Sequence, residues 1–135
     1  MNINNLNPEV LNGFCGTESY TYGPYRKFVM TDGATYLCDN GCAWFLDLVA
    51  SHQTRSVIDG SAGFQFWKLL PTKNDAKNMA KAVCEDGNGN VLAKQLIPYT
   101  DFPFHKMPQG LTLYVQLGYV PSVGECWVAM LPSEY

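Results

Sequence analysis

Charge is what this sequence has least of, and cations in particular never cluster. Charged residues make up 16% of the chain and the formal net charge is −3, whereas about a quarter of residues are charged in a typical globular protein. The longest basic run is the pair Arg26-Lys27. Because nucleic-acid backbones are bound chiefly through clustered cations, the sequence argues against direct binding of DNA or RNA.

Targeting and membrane signals are also missing. The first residues contain no basic segment followed by an apolar stretch, so we expect no secretory signal. The longest apolar run lies within Cys42–Ala50 and is interrupted by Asp47. A bilayer span requires about 20 consecutive apolar residues, so we predict a soluble, cytoplasmic protein that does not contact a membrane.

Metal-binding patterns are incomplete. Two histidines and five cysteines are present, and an odd cysteine count without a signal peptide favours reduced thiols over disulfides. Cys38 and Cys42 resemble half a zinc site, but no second pair follows. The cysteines are therefore predicted to be small apolar core residues, and we expect no metal and no cofactor.

Catalytic signatures are absent as well. The chain contains no G-x-S-x-G elbow and no glycine-rich phosphate loop. A thiol or hydroxyl nucleophile would need His52 or His105 as its base. The pattern favours a non-catalytic protein, with a hydrolytic domain as the alternative.

The stretch DGNGN, at Asp86–Asn90, allows two interpretations. An EF-hand loop that starts at Asp86 needs glycine at position six and glutamate at position twelve, where this chain has Val91 and Ile97. Glycine and asparagine readily adopt the positive φ of tight hairpin turns. We therefore predict a hairpin, with Cys84 close to Val91 across it.

Helical patterns lie in the first part of the chain. Pro8 begins a short helix that Gly13 and Gly16 would end. Thr31-Asp32-Gly33 offers an N-cap for a second helix. The clearest signal is CAWFLDLVASHQ, in which apolar residues recur every three or four positions after Asp39-Asn40-Gly41. This spacing predicts an amphipathic helix that exposes Asp47.

Strand patterns follow the helices. They cover Phe64–Leu70, Asn78–Glu85, Asn90–Ile97, Leu111–Leu117 and Glu125–Leu131. Short connections favour antiparallel pairing. We predict one α+β domain over residues 1–135, helical over 1–53, with the helices packed on one face of a four- to five-stranded antiparallel sheet over 63–131.

Aromatic residues are abundant, at 13% of the chain. Tyr and Trp are enriched at protein interfaces, so the excess favours a protein partner, or a second copy of the chain in a homodimer. The candidate binding residues are Tyr22, Tyr25, Tyr36, Trp44, Asp47, His52, Trp67, Asp101 and Phe102. Under the alternative function, Tyr36, Asp47, His52, Trp67 and Asp101 would form a ligand site between the main helix and the sheet.

A series of blocks also suggests a family. The blocks are FCGTESYTY, FVMTDGATYL, GCAWFLDLVASHQ, FQFWKL, CEDGNGNV, IPYTDFPF, LTLYV and LPSEY. In this order they resemble an uncharacterised family of small bacterial, plasmid and phage proteins, with longer connections at PTKNDAKN and QLGYVPSVGECWV. The resemblance implies a mobile-element protein in the cytoplasm of a bacterial host. Such a protein is expected to inhibit a host defence system, such as a CRISPR effector, by covering a protein surface.

Overall fold

The computed structural model describes residues 6–15, 20–22, 28–53, 64–72 and 79–135. Its helices are α1 (Pro8–Asn12), α2 (Asp32–Leu37) and α3 (Ala43–His52). Its strands are β1 (Thr21–Tyr22), β2 (Phe28–Met30), β3 (Phe64–Pro71), β4 (Ala80–Glu85), β5 (Val91–Ile97), β6 (Leu111–Val120) and β7 (Gly124–Met130). Within these ranges, every helix is too short to cross a membrane.

The strands form one mixed sheet in the order β1-β2-β7-β6-β3-β4-β5. β2 runs parallel to β7, and the other neighbours are antiparallel. The predicted α+β class is confirmed, but the prediction of four to five purely antiparallel strands is wrong. β1 and β2 interrupt the region predicted to be helical, and at two and three residues they are too short to show alternation.

Thr31 caps α2 as predicted, whereas the side-chain cap of α1 at Asn7 was not among the predictions. The Asn7 side chain accepts a hydrogen bond from the Glu9 N–H, and Thr31 caps α2 through the Ala34 N–H. Between α2 and α3 the chain passes through a π-helical turn, Cys38–Cys42, in which Gly41 has φ 95°. Asn40 donates to the Tyr36 carbonyl oxygen at 2.8 Å, so it closes α2 and does not cap α3.

α3 packs its apolar side on the sheet. Phe45, Leu46 and Val49 are buried with Trp67 and Leu113 in the main core. Asp47 is exposed on the opposite side of the helix, as the spacing predicted. The apolar buried residues of all three described helices belong to this one core, so the helices share one face of the sheet.

The DGNGN stretch is the turn of the β4–β5 hairpin, which confirms the structural interpretation of this motif. Cys84 lies near Val91 across the hairpin, as predicted, but the two residues are not direct partners. Glu85 lies opposite Val91 and Cys84 lies opposite Ala93, because a bulge falls between Cys84 and Glu85. An extra residue in one strand of a hairpin changes every pairing on one side of it, and sequence alternation alone does not reveal its position.

The C-terminal segment ties the helical layer to the sheet. Glu134 follows β7 in a 3-10 turn, Pro132–Glu134, and its carboxylate reaches the N-terminus of α2. The carboxylate accepts hydrogen bonds from the Thr31 hydroxyl at 2.6 Å, the Gly33 N–H at 3.0 Å and the Leu131 N–H at 2.9 Å. A side chain at Gly33 would collide with the carboxylate and with Leu131, so the contact requires glycine there.

We predict that Glu134→Ala lowers the free energy of unfolding by about 1.5–3 kcal/mol, because hydrogen bonds to a charged acceptor are lost. Glu134→Gln, which keeps one acceptor oxygen, should lose less. Urea unfolding followed by circular dichroism measures both. Glu125→Ala, an exposed glutamate in β7, is the control and should change stability by about 0.5 kcal/mol or less. Equal stability of Glu134→Ala and the control would contradict the proposed anchoring role.

Candidate functional site

The two faces of β3 carry different chemistry. Gln65, Trp67 and Leu69 point towards α3 and are fully buried, whereas Phe64 and Phe66 point to the opposite face and are half-buried. On that opposite face, Tyr114 of β6 lies beside Phe66 in the register. The sheet therefore presents aromatic rings on the face turned away from the described helices.

Tyr135 completes this cluster from the end of the C-terminal segment. Its ring is perpendicular to Phe64, with centroids 5.2 Å apart, and lies 6.0 Å from Tyr114 at 84°. Phe66 and Tyr114 meet at 5.0 Å and 80°. Edge-to-face arrangements of this kind stabilise aromatic pairs and leave some ring faces directed outward. Tyr135 is 75% exposed, so the cluster reaches the surface.

The β4–β5 turn lies beside the four aromatic rings and encloses a depression with them. Asp86, Gly87 and Asn88 line a cavity of about 430 Å³ together with the four rings. We call this depression, lined by Phe64, Phe66, Tyr114, Tyr135 and Asp86–Asn88, the aromatic groove. Gly87 has φ 87°, and a Cβ atom there would lie 2.6 Å from Cε2 of Phe66. The turn can therefore approach the rings only with glycine at this position.

A second apolar cluster continues the same face towards the parallel strand pair. It consists of Val29, Val120, Cys126, Val128 and Met130, with Tyr114 at its border. Val29 and Val128 are cross-strand neighbours, as are Tyr114 and Met130. Tyr114 thus joins the aromatic groove to an apolar strip that extends across the sheet to β2.

The opposite face contains a buried polar network between α3 and the sheet. Gln65 accepts from Trp67 Nε1 at 2.8 Å and from Gln53 Nε2 at 2.9 Å, and donates back to Gln53 Oε1 at 2.8 Å. His52 Nε2 lies 3.1 Å from Gln95 Oε1, and the His52 and Trp67 rings are 5.2 Å apart. Because buried amides must find partners, this network, which we call the amide network, fixes α3 on the sheet.

The thiols are poor nucleophiles in this fold. Burial raises the pKa of Cys38 to about 11 and those of Cys42 and Cys84 to about 12, with nearby carboxylates adding to each shift. Burial also raises the pKa of Cys126. The thiolate is the reactive form, so these side chains are neutral at physiological pH. Among the described residues, no three His, Cys, Asp or Glu side chains come together to hold a metal ion.

The predicted candidate residues are spread over the molecule. Of the described ones, His52, Trp67 and Phe102 are buried, Tyr36 and Trp44 are half-buried, and Asp47 and Asp101 are exposed. His52 and Trp67 meet in the amide network, whereas the Tyr36 hydroxyl accepts from the Asn7 N–H. Tyr22 belongs to β1, and Tyr25 lies outside the described residues.

The residues of the aromatic groove were absent from that set of candidates. Alternation in FQFWKLL places Phe64 and Phe66 on one face, but large apolar residues on one face of a strand are normally its core side. Here the core side carries Gln65 together with Trp67 and Leu69. Both faces of the strand therefore carry large apolar residues, and the sequence of β3 alone does not indicate which face is the outer one.

We predict that Gly87→Ala destabilises the protein more than Gly89→Ala. Both glycines have positive φ, which costs an L-residue about 1–2 kcal/mol. Only at position 87 does the added methyl group meet Phe66, whereas position 89 is open. Urea unfolding gives the difference, and chemical shifts of the Phe66 ring report its displacement. Equal destabilisation by the two substitutions would show that the turn does not press on the aromatic groove.

Thiol labelling tests the burial of the cysteines. In the native protein at mildly alkaline pH, we expect iodoacetamide to modify exposed Cys15 much faster than Cys38, Cys42, Cys84 or Cys126, because little thiolate forms at a raised pKa. In guanidinium chloride all five cysteines should react alike. Mass spectrometry of tryptic peptides gives each rate. Fast native labelling of Cys84 would instead support a nucleophile beside the amide network.

Comparison with known proteins identifies a family for this chain but no individual relative. No curated protein and no solved structure gives a significant match to the chain. A family model does match, over residues 5–135, which is nearly the whole chain. This agrees with the resemblance of the sequence blocks to an uncharacterised family. The chain belongs to DUF6876, a family of unknown function.

Proposed function

We propose that this protein is a non-catalytic interaction protein that binds the surface of another protein through the aromatic groove. The observation that carries the proposal is the four-ring cluster on the face turned away from the helices, with Tyr135 75% exposed at its edge. Interfaces are enriched in Tyr, Trp and Phe, and a few buried aromatic anchors supply most of the binding free energy.

The surroundings of the groove suit a binding surface. The neighbouring ion pair, Lys68 with Glu85 at 3.1 Å, neutralises the charges on the adjacent part of β3 and β4. The residues of the apolar strip beyond Tyr114 are buried, and their packing supports the edge of the groove at Tyr114. A partner would bury rings that are already held in place by one another, so little side-chain entropy is lost on binding.

The alternative, a ligand-binding or hydrolytic site between α3 and the sheet, is less well supported. The amide groups there bind one another, and His52 is paired with Gln95. Cys84, whose Sγ lies 3.9 Å from Gln65 Oε1, has its pKa raised to about 12 by burial. Hydrogen bonds of this kind fix a core, and a neutral thiol is a weak nucleophile.

The partner is inferred from the sequence resemblance. Small proteins of plasmids and phages that lack catalytic motifs act by covering host proteins, so we propose a bacterial defence component, such as a CRISPR effector, as the partner. Inhibition would follow from occupation of its working surface. Because a non-catalytic inhibitor acts only while it is bound, the amount of partner inhibited should equal the amount of partner in the complex.

We predict that Tyr135→Ala weakens partner binding about 30-fold or more, because truncation of a hot-spot aromatic residue costs about 2 kcal/mol or more. Tyr99→Ala is the matched control, since Tyr99 is 72% exposed but does not line the groove. A partner is first captured from a bacterial host lysate, then purified and titrated by calorimetry with wild type and both variants. A partner that binds Tyr135→Ala as tightly as wild type would refute the assignment of the groove.

A further inference from the structure

The aromatic groove combines ring faces with one fixed negative charge. Phe64, Phe66, Tyr114 and Tyr135 meet at angles of 43° to 90°, so the rings bound the groove on several sides. The face of an aromatic ring carries negative potential and attracts cations. The cavity of about 430 Å³ is large enough to take the end of one long side chain.

Asp86 supplies the charge at the edge of the groove. Its Oδ1 accepts from the N–H groups of Asn88 at 2.8 Å and Asn90 at 3.3 Å, and its Oδ2 accepts from Asn90 Nδ2 at 2.9 Å. These bonds hold the carboxylate in one orientation and lower its pKa. It is therefore anionic at physiological pH. Oδ1 already accepts two hydrogen bonds and Oδ2 one, so Oδ2 retains a position for one further donor.

The cation on the groove side of β3 is already paired. Lys68 lies on the same face as Phe66 and binds Glu85, not Asp86. Within the described ranges, Asp86 has no ion-pair partner, and the whole chain carries a net charge of −3. The groove therefore offers an unneutralised carboxylate beside aromatic faces.

We propose that the aromatic groove receives an arginine side chain of the partner protein, its guanidinium stacked on the rings and hydrogen-bonded to Asp86. This inference rests on the proposed function and specifies the chemistry that the partner presents. Arginine fits better than lysine because its planar guanidinium stacks on an aromatic face while one of its N–H groups donates to the remaining position on Oδ2 of Asp86. A nucleic-acid base would stack as well, but its phosphates would be repelled by Asp86.

The test is an NMR titration of the full chain with the peptide acetyl-Gly-Arg-Gly-amide. The matched ligand replaces arginine by citrulline, which keeps the shape and removes the charge, and a third ligand carries lysine. We expect the arginine peptide to shift the ring protons of Phe64, Phe66, Tyr114 and Tyr135. It should bind about 3- to 30-fold more tightly than the citrulline peptide, from the cation–π and ion-pair contributions together.

Two variants locate the interaction. Asp86→Asn keeps an oxygen that can accept from the Asn88 N–H, so the turn should persist. The preference for arginine over citrulline should fall about 1.5- to 5-fold, because the ion pair is lost while the cation–π contribution of the rings remains. Asp39→Asn, at another exposed aspartate, is its control and should leave the preference unchanged. Tyr135→Ala should weaken binding of the arginine peptide about 2- to 5-fold, whereas Tyr99→Ala should not.

Several results would overturn the inference. These are equal binding of the citrulline peptide, equal or tighter binding of the lysine peptide, an unchanged preference in Asp86→Asn, or ring shifts produced by a single-stranded oligonucleotide in place of the peptide. If the peptides fail but a purified partner still loses affinity with Tyr135→Ala, the docking surface stands and the arginine inference falls. If the arginine peptide binds as expected and no partner depends on Tyr135, the proposed function fails instead.

Discussion

The carboxylate of Glu134 is the contact on which the arrangement of the molecule depends. It joins two segments that lie 103 residues apart along the chain, and it satisfies the Gly33 N–H at the start of α2, a group that has no partner within the helix. A negative charge is also favourable at that end of a helix. The same turn places the next residue, Tyr135, against Phe64. One anchored side chain therefore orients the helical layer and completes the aromatic groove.

The two faces of β3 carry different kinds of side chain, a hydrogen-bonded set on the inner face and aromatic rings on the outer face. One side of the strand holds Gln65 and Trp67, whose hydrogen bonds fix α3 and define a single way of packing it. The other side holds Phe64 and Phe66, which take part in no such network. Hydrogen bonds on the inner face thus select a single arrangement of α3 on the sheet. The phenylalanine rings of β3 lie on the outer face, where they form part of the aromatic groove.

Much of the local structure could be predicted from the sequence, because caps and turns are local. Pro8 begins α1, Thr31 caps α2 and the DGNGN stretch forms a hairpin turn, as the chemistry of these residues indicated. The parallel pairing of β2 with β7 could not be predicted, because three residues carry no periodicity and the partner is distant. The aromatic groove was missed for a related reason: it is assembled from β3, the β4–β5 turn, β6 and the C-terminal segment, and no single segment reveals it.

The parallel pairing of β2 with β7 also bears on how the chain is made. Residues 28–30 are synthesised before residues 124–130, which supply their only described strand partner besides β1. Contacts between such distant segments form slowly and late. Until β7 leaves the ribosome, Phe28, Val29 and the apolar side of α3 have no complete sheet to bury them. A prematurely terminated chain would therefore expose its core to proteases, and only chains that extend through Tyr135 would carry a complete aromatic groove.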